Sequence, residues 1–118
     1  LDISSAGNFH WILQASNLHL GGNGSYTYDG YLAEVHILDR LNKDQDDFGE
    51  FKNGVWVPKD YHTNSGGGTS AYGTYGAYFK FANASSLGTD SSGVGQSVTV
   101  AGLSADNQVL DSPTFGSD

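Results

Sequence analysis

The chain has 118 residues, 5 Lys+Arg against 13 Asp+Glu for a formal net charge of −8, no Cys, and Gly at 17 positions, about twice the usual ~7% share of Gly. So acidic a chain does not hold a phosphate backbone by counterion release, and it does not coat an anionic membrane. Its apolar runs fall short of the ~18–20 residues a membrane span needs, and without Cys it has neither disulfides nor thiolate metal sites.

Short β-branched and aromatic runs alternate with Gly/Ser/Asn clusters, which predicts an all-β chain rich in turns. The first runs are Phe9-His10-Trp11-Ile12-Leu13 and Asn17-Leu18-His19-Leu20. Gly21-Gly22-Asn23-Gly24 breaks the chain, and Asp29-Gly30 is a hairpin-type turn. Residues 31–38 alternate strictly, with Tyr31, Ala33, Val35 and Ile37 on one face and Leu32, Glu34, His36 and Leu38 on the other. That period predicts a half-buried strand. One short helical turn is predicted near residues 42–48, capped by Asn42 or Asp44, acidic in its first turn and closed by Gly49.

Val55-Trp56-Val57 predicts a short strand ended by Pro58, and residues 64–70, with Gly66-Gly67-Gly68, a flexible loop. Residues 77–81 predict a strand with Phe79 and Phe81 on one face, and residues 97–100 a last short strand. Residues 104–118 are polar and acidic and predict a linker or an extended terminal tail. The start at Leu1, the lack of Met and the lack of a signal-peptide pattern predict a processed piece or a segment of a longer polypeptide.

Several chemistries can be weighed on the residues. Asn42, Asp44 and Asp46 at the first ligand positions of an EF-hand would put Asp47 where Gly is required and Asn53 where Glu is required, so that match fails. Asp29 and Asp90 sit in turns suited to calcium ligation from separate loops. The alternative for both is a turn Asp bonded to its own backbone. His10, His19, His36 and His62 have no zinc-site spacing, and no nucleophile elbow or nucleotide-binding glycine loop occurs. Tyr61, Tyr72 and Tyr75, with Asn64 nearby, flank the Gly-rich segment and are the candidate glycan contacts, because aromatic faces stack on sugar rings. Their alternative is core packing, which is the favoured reading for Trp56. Sequons occur at Asn23-Gly24-Ser25 and Asn83-Ala84-Ser85.

Glu34-Val35-His36-Ile37-Leu38-Asp39 resembles the E-x-D-x-x-E strand of jelly-roll endoglucanases, with His36 in place of the middle Asp and Asp39 in place of the last Glu. In those enzymes two carboxylates flank the glycosidic bond. Asp39 needs a bulge to share a face with Glu34, and the alternative is a polar strand face. This is the glycan-cleaving reading, with Glu34 paired to His36 or Asp39.

A broader likeness runs through five motifs in order. Asp29-Gly30-Tyr31-Leu32-Ala33-Glu34-Val35-His36-Ile37-Leu38-Asp39 is followed by Asp47-Phe48-Gly49-Glu50, then by Gly54-Val55-Trp56-Val57-Pro58-Lys59-Asp60-Tyr61. Tyr75-Gly76-Ala77-Tyr78-Phe79-Lys80-Phe81, Asp90-Ser91-Ser92-Gly93-Val94-Gly95 and Asp106-Asn107-Gln108-Val109-Leu110-Asp111-Ser112-Pro113-Thr114 complete the series. Over residues 18–114 the chain resembles the concanavalin A-like (LamG-type) jelly-roll domains of marine and cyanobacterial tailed-phage structural proteins. Leu41-Asn42-Lys43 and Gln96-Ser97 depart from that pattern.

The resemblance implies a two-sheet antiparallel jelly-roll sandwich, incomplete in this chain, with residues 1–103 forming its C-terminal part. It implies a non-enzymatic virion module of a tail fibre, a tail-associated protein or a capsid decoration, at a virion surface or otherwise extracellular. Its partners would be host-surface polysaccharide, other virion proteins or copies of itself, with no nucleic acid and no membrane insertion. No cofactor is expected, and calcium at the turn residues Asp29 and Asp90 stays open. A bacterial secreted or cell-surface carbohydrate-binding domain of the same fold is the other non-enzymatic reading.

Overall fold

The computed structural model describes residues 19–22, 25–110 and 113–114. The run at residues 9–13, the sequon at Asn23 and the last residues of the tail lie outside the described residues.

β1 (Val35–Ile37) is shorter than the alternation of residues 31–38 predicts. Glu34 has φ of 51° and Arg40 has φ of 59°, so left-handed backbone bounds the extended run on both sides. Such a conformation costs a side-chain-bearing residue about 1–2 kcal/mol. The Glu34 carboxylate accepts from both the backbone N and Oγ1 of Thr114.

The predicted helical turn is α1 (Gln45–Phe48), and its cap is Asp44 rather than Asn42. The Asp44 carboxylate accepts from the backbone N of Asp46 at 3.0 Å, and the Asp47 carboxylate accepts from the backbone N of Asp44 at 3.1 Å. This reciprocal capping box satisfies donors that a four-residue helix cannot satisfy internally. Asp44→Ala should therefore cost about 1 kcal/mol and lower the thermal midpoint by a few degrees, read by circular dichroism.

β2 (Gly49–Lys52) follows directly and pairs antiparallel with β3 (Val55–Pro58), with Phe51 opposite Trp56. Asn53 and Gly54, at φ of 51° and 77°, form the two-residue turn. Two positive φ values match the right-handed twist of a tight hairpin, and Asn-Gly is the dipeptide that supplies them most readily.

Residues 64–70 are not the flexible loop predicted from their glycines. α2 (Tyr61–Ser65) is capped by Asp60, which accepts from the backbone N and Oγ1 of Thr63 at 3.0 and 2.7 Å. Gly66 closes α2 in the left-handed conformation. α3 (Thr69–Tyr72) begins after Gly68, whose backbone N donates to Ser92 O at 2.6 Å. The glycines act as helix punctuation here.

β4 (Ala77–Phe79) is buried throughout and pairs antiparallel with β1 in the register Val35 to Phe79, His36 to Tyr78 and Ile37 to Ala77. The predicted strand over residues 77–81 stops early, with Phe81 at φ of 55°. Residues 97–100 form no strand, and Val98 and Val100 stay partly exposed. In the tail, a 3-10 turn (Ala105–Asn107) is tied back through Gln108 Nε2, which donates to Phe81 O at 2.8 Å.

Two two-stranded antiparallel sheets with few short helices are compatible with a partial all-β fold. The core lies where α2 and α3 meet the β1–β4 ribbon. Tyr61, Ala71, Tyr72 and Tyr78 form it, with Leu38, Phe48 and Val94 packed against them.

Candidate functional site

The centre of the molecule is built from tyrosine and histidine rings. His36 projects from β1 and stacks on Tyr78 of β4, with centroids 4.2 Å apart and planes 10° apart. His62 of α2 stacks on the same Tyr78 at 5.4 Å. Tyr72 of α3 has no exposed surface, and its hydroxyl stands 3.2 Å from His36 Nδ1 and 3.3 Å from His62 Nδ1. Tyr61 meets Tyr72 edge-on at 5.5 Å and donates its hydroxyl to Ala71 O at 2.5 Å.

Burial governs the acid–base behaviour of this cluster. It lowers the His36 pKa from the usual 6.5, against the attraction of Glu34, because a buried imidazolium loses its hydration. It pushes the Tyr78 phenol up to about 12 and the Tyr72 phenol higher still, so both stay neutral at any ordinary pH.

The four glycan-contact candidates do not converge on one exposed face. Tyr61 is 2% and Tyr72 0% exposed, so neither presents a ring to solvent. Both take the core-packing role that was the alternative for them. Tyr75 is half-buried, with its backbone N donating to Asp39 Oδ2 at 3.3 Å, and Asn64 is exposed on α2. Neither of them completes a stacking platform.

The carboxylates of the glycan-cleaving reading are engaged within the protein. Glu34 accepts from Thr114, His36 lies in the ring stack, and Asp39 is 3% exposed. Asp39 is held by its own backbone N, which donates to Tyr72 O at 2.9 Å, and by its carboxylate contact with Tyr75.

Asp90 proves to be the anchor of the 90–96 turn. Its Oδ1 accepts from the backbone N of Tyr78 and of Ser92, each at 2.9 Å. Its Oδ2 accepts from Ser92 Oγ at 2.9 Å and from the backbone N of Gly95 and Gln96 at 3.1 and 2.8 Å. Five donors fill the ~4 lone-pair directions of a carboxylate, which leaves none directed at a cation. Burial works to raise the Asp90 pKa, and the donors from Tyr78, Gln96 and Ser92 outweigh it, so the pKa lies below the usual 3.8. Asp29 is exposed, and among the described residues no cluster of three His, Cys, Asp or Glu side chains suits a metal.

The exposed aromatic face lies elsewhere, on the β2–β3 hairpin. Gly49, Phe51, Trp56 and Pro58 share one side of it by register. Phe51 is 71% and Trp56 43% exposed, and their rings meet edge-to-face at 5.0 Å. The Trp56 indole lies against the backbone of Gly49, where an added Cβ would stand 2.5 Å from three ring atoms. The bare glycine thus seats the indole against the strand. Trp56 is accordingly a surface residue and not the core residue favoured from its sequence context.

Reasoning from sequence missed His62 and Tyr78 as partners of His36. The signal was the placement of His36 on the non-Val face of the alternating run, which reads as polar until β4 is laid beside it. Comparison with protein-family models, with curated proteins and with solved structures finds no match.

Proposed function

We propose that this chain is a non-enzymatic attachment and structural module at a virion surface, binding host-surface polysaccharide through the Phe51–Trp56 face of the β2–β3 hairpin. The observation that carries the reading is that face: a seated indole and an edge-on phenyl ring, both open to solvent. Such rings offer a sugar the apolar C–H contact it needs without a countercharge. The phage-type motif series supports the virion setting, and the jelly-roll sandwich is the parent fold it implies. Exposed Val98, Leu103, Val109 and Leu110 fit a sandwich whose remaining strands come from elsewhere, from a neighbouring protein or a second copy. Arrayed copies would convert weak single contacts into firm attachment.

The test is retention of the chain on a panel of immobilised bacterial capsular and O-antigen polysaccharides. Wild type should be retained, and Phe51→Ala with Trp56→Ala should weaken retention at least tenfold, roughly 1.4 kcal/mol. Phe51 is mostly exposed and Trp56 packs only on its own hairpin, so the fold should survive the double substitution with a lowered but still cooperative thermal transition. Retention unchanged by the double substitution contradicts the proposal. Shortening of a polysaccharide by wild type but not by Glu34→Gln would favour the hydrolase reading instead.

A further inference from the structure

The His36–Tyr72–His62 cluster joins a buried tyrosine to two half-buried histidines and is left unused by the proposed function. Among the described residues, the Tyr72 hydroxyl has two hydrogen-bond partners, the Nδ1 atoms of His36 and His62. A phenolic oxygen has one proton to donate and lone pairs to accept with. Counting protons then decides what the cluster can do.

With both imidazoles neutral, the hydroxyl donates to one Nδ1 and accepts from the other. The two rings must therefore hold opposite tautomers. One added proton preserves both bonds, because the cationic ring donates to the hydroxyl and the hydroxyl donates to the neutral ring. A second proton removes the last acceptor. Both Nδ1 atoms then donate, and the O–H proton of a fully buried side chain has no partner.

The surrounding charges do not rescue it. Glu34 ahead of β1 and Asp60 ahead of α2 attract a proton to His36, while His62 opposes charge there. The Asp60 carboxylate is occupied by Thr63, and Glu34 by Thr114. Lys80 faces Asp60, Lys43 and Asp47 act on Tyr61, and Asp90 acts on Tyr72 from the far side of β4. Tyr61 and Tyr78 are neutral phenols packed against the cluster.

We propose that His36, Tyr72 and His62 form an acid-released latch, which ties α2 and α3 to β1 while the histidine pair carries no proton or one, and lets go when it carries two. Release would uncover the ring faces of Tyr72 and Tyr78. The burial of His36 sets the direction: its folded state binds a proton less readily than the unfolded chain, so its contribution is complete above pH 6.5 and declines as pH falls below that value. Asp60 and Asp90 titrate below the usual carboxylate value and act at lower pH.

The experiment is a long-range proton–nitrogen NMR titration of the histidine-labelled full chain from pH 7.5 to 4.5, with the rings assigned through His36→Gln and His62→Gln. At high pH, one of the two rings should be the Nδ1–H form and the other the Nε2–H form. Protonation should come in two separated steps, the second accompanied by collapse of the Tyr72 and Tyr78 ring signals and a fall of several degrees in melting temperature. Tyr72→Phe, which keeps the ring and removes the hydroxyl, should abolish the opposed tautomers. The wild-type titration decides the matter even where that variant folds poorly. Identical tautomers at pH 7.5, or double protonation with the tyrosine signals unmoved, would overturn the latch.

Discussion

Gly76→Ala should abolish the folded state under conditions where wild type is folded. Gly76 lies between α3 and β4, where the chain turns back beneath β1. A Cβ there would overlap the carbonyl oxygen of Tyr72 and stand 2.6 Å from its carbonyl carbon and 2.7 Å from Ile37 O. These are backbone atoms, so no side-chain rotation relieves the clash. The Tyr72 carbonyl cannot retreat without losing its bond from Asp39 N. Forced overpacking at a backbone contact belongs to the severe class of substitutions, above about 4 kcal/mol, and a domain of this size has only about 5–15 kcal/mol in total. Far-ultraviolet and near-ultraviolet circular dichroism should both lose the native signal. A cooperative urea transition at the wild-type midpoint would show that the α3–β4 passage is looser than described.

Asp90→Asn should be the next most damaging change. One carboxylate oxygen becomes an amide nitrogen, and at Oδ2 the backbone N–H groups of Gly95 and Gln96 would then face a donor. Hydrogen bonds to a charged group contribute about 1.5–3 kcal/mol each, and unpaired buried donors cost about 1–3. The turn remains partly solvated, so the net loss should be about 2–4 kcal/mol, read as a lower urea midpoint at pH 7. The pH dependence carries the sign. The folded Asp90 carboxyl holds its proton less tightly than the unfolded one, so the unfolded state binds more protons and stability rises with pH through this window. The contribution is complete above the ordinary carboxylate value of 3.8 and is lost as pH falls through the lowered folded value. Asp90→Asn should flatten the stability profile in that acid range and leave the His36 contribution unchanged.

What was legible in the sequence is what neighbours along the chain decide. The acidic first turn and the closing Gly of α1 are local signals, and the helix formed where they place it. The capping choice of Asp44 over Asn42 follows from Asp47 three residues on, a pairing the sequence also contains. Asn53-Gly54 is as strong a hairpin signal as any in the chain, yet it lies between runs too short to draw attention. The alternation over residues 31–38 identified β1, but not its limits, because the left-handed backbone at Glu34 leaves no mark on that alternation.

The fate of the aromatic rings was not legible. Tyr72 is buried by His36 from β1, His62 from α2 and Tyr78 from β4, three segments apart in sequence. No periodicity within residues 69–75 reports on them. Trp56 went the other way for a similar reason. Its indole rests on Gly49, a partner fixed by hairpin register and by the absence of a side chain there. Glycine-rich residues 66–68 read as flexible by composition, whereas all three hold a positive φ, Gly66 closes α2 in the left-handed conformation and Gly68 is pinned by Ser92.

The most direct test of the account is the emission of Trp56 during titration with bacterial polysaccharide, in a Trp11→Phe background that leaves it the sole indole. A sugar seated on the Phe51–Trp56 face predicts a saturable change in intensity and a blue shift, both lost in Phe51→Ala. Polysaccharide that binds the chain while Trp56 emission stays constant would place the contact elsewhere and contradict the account.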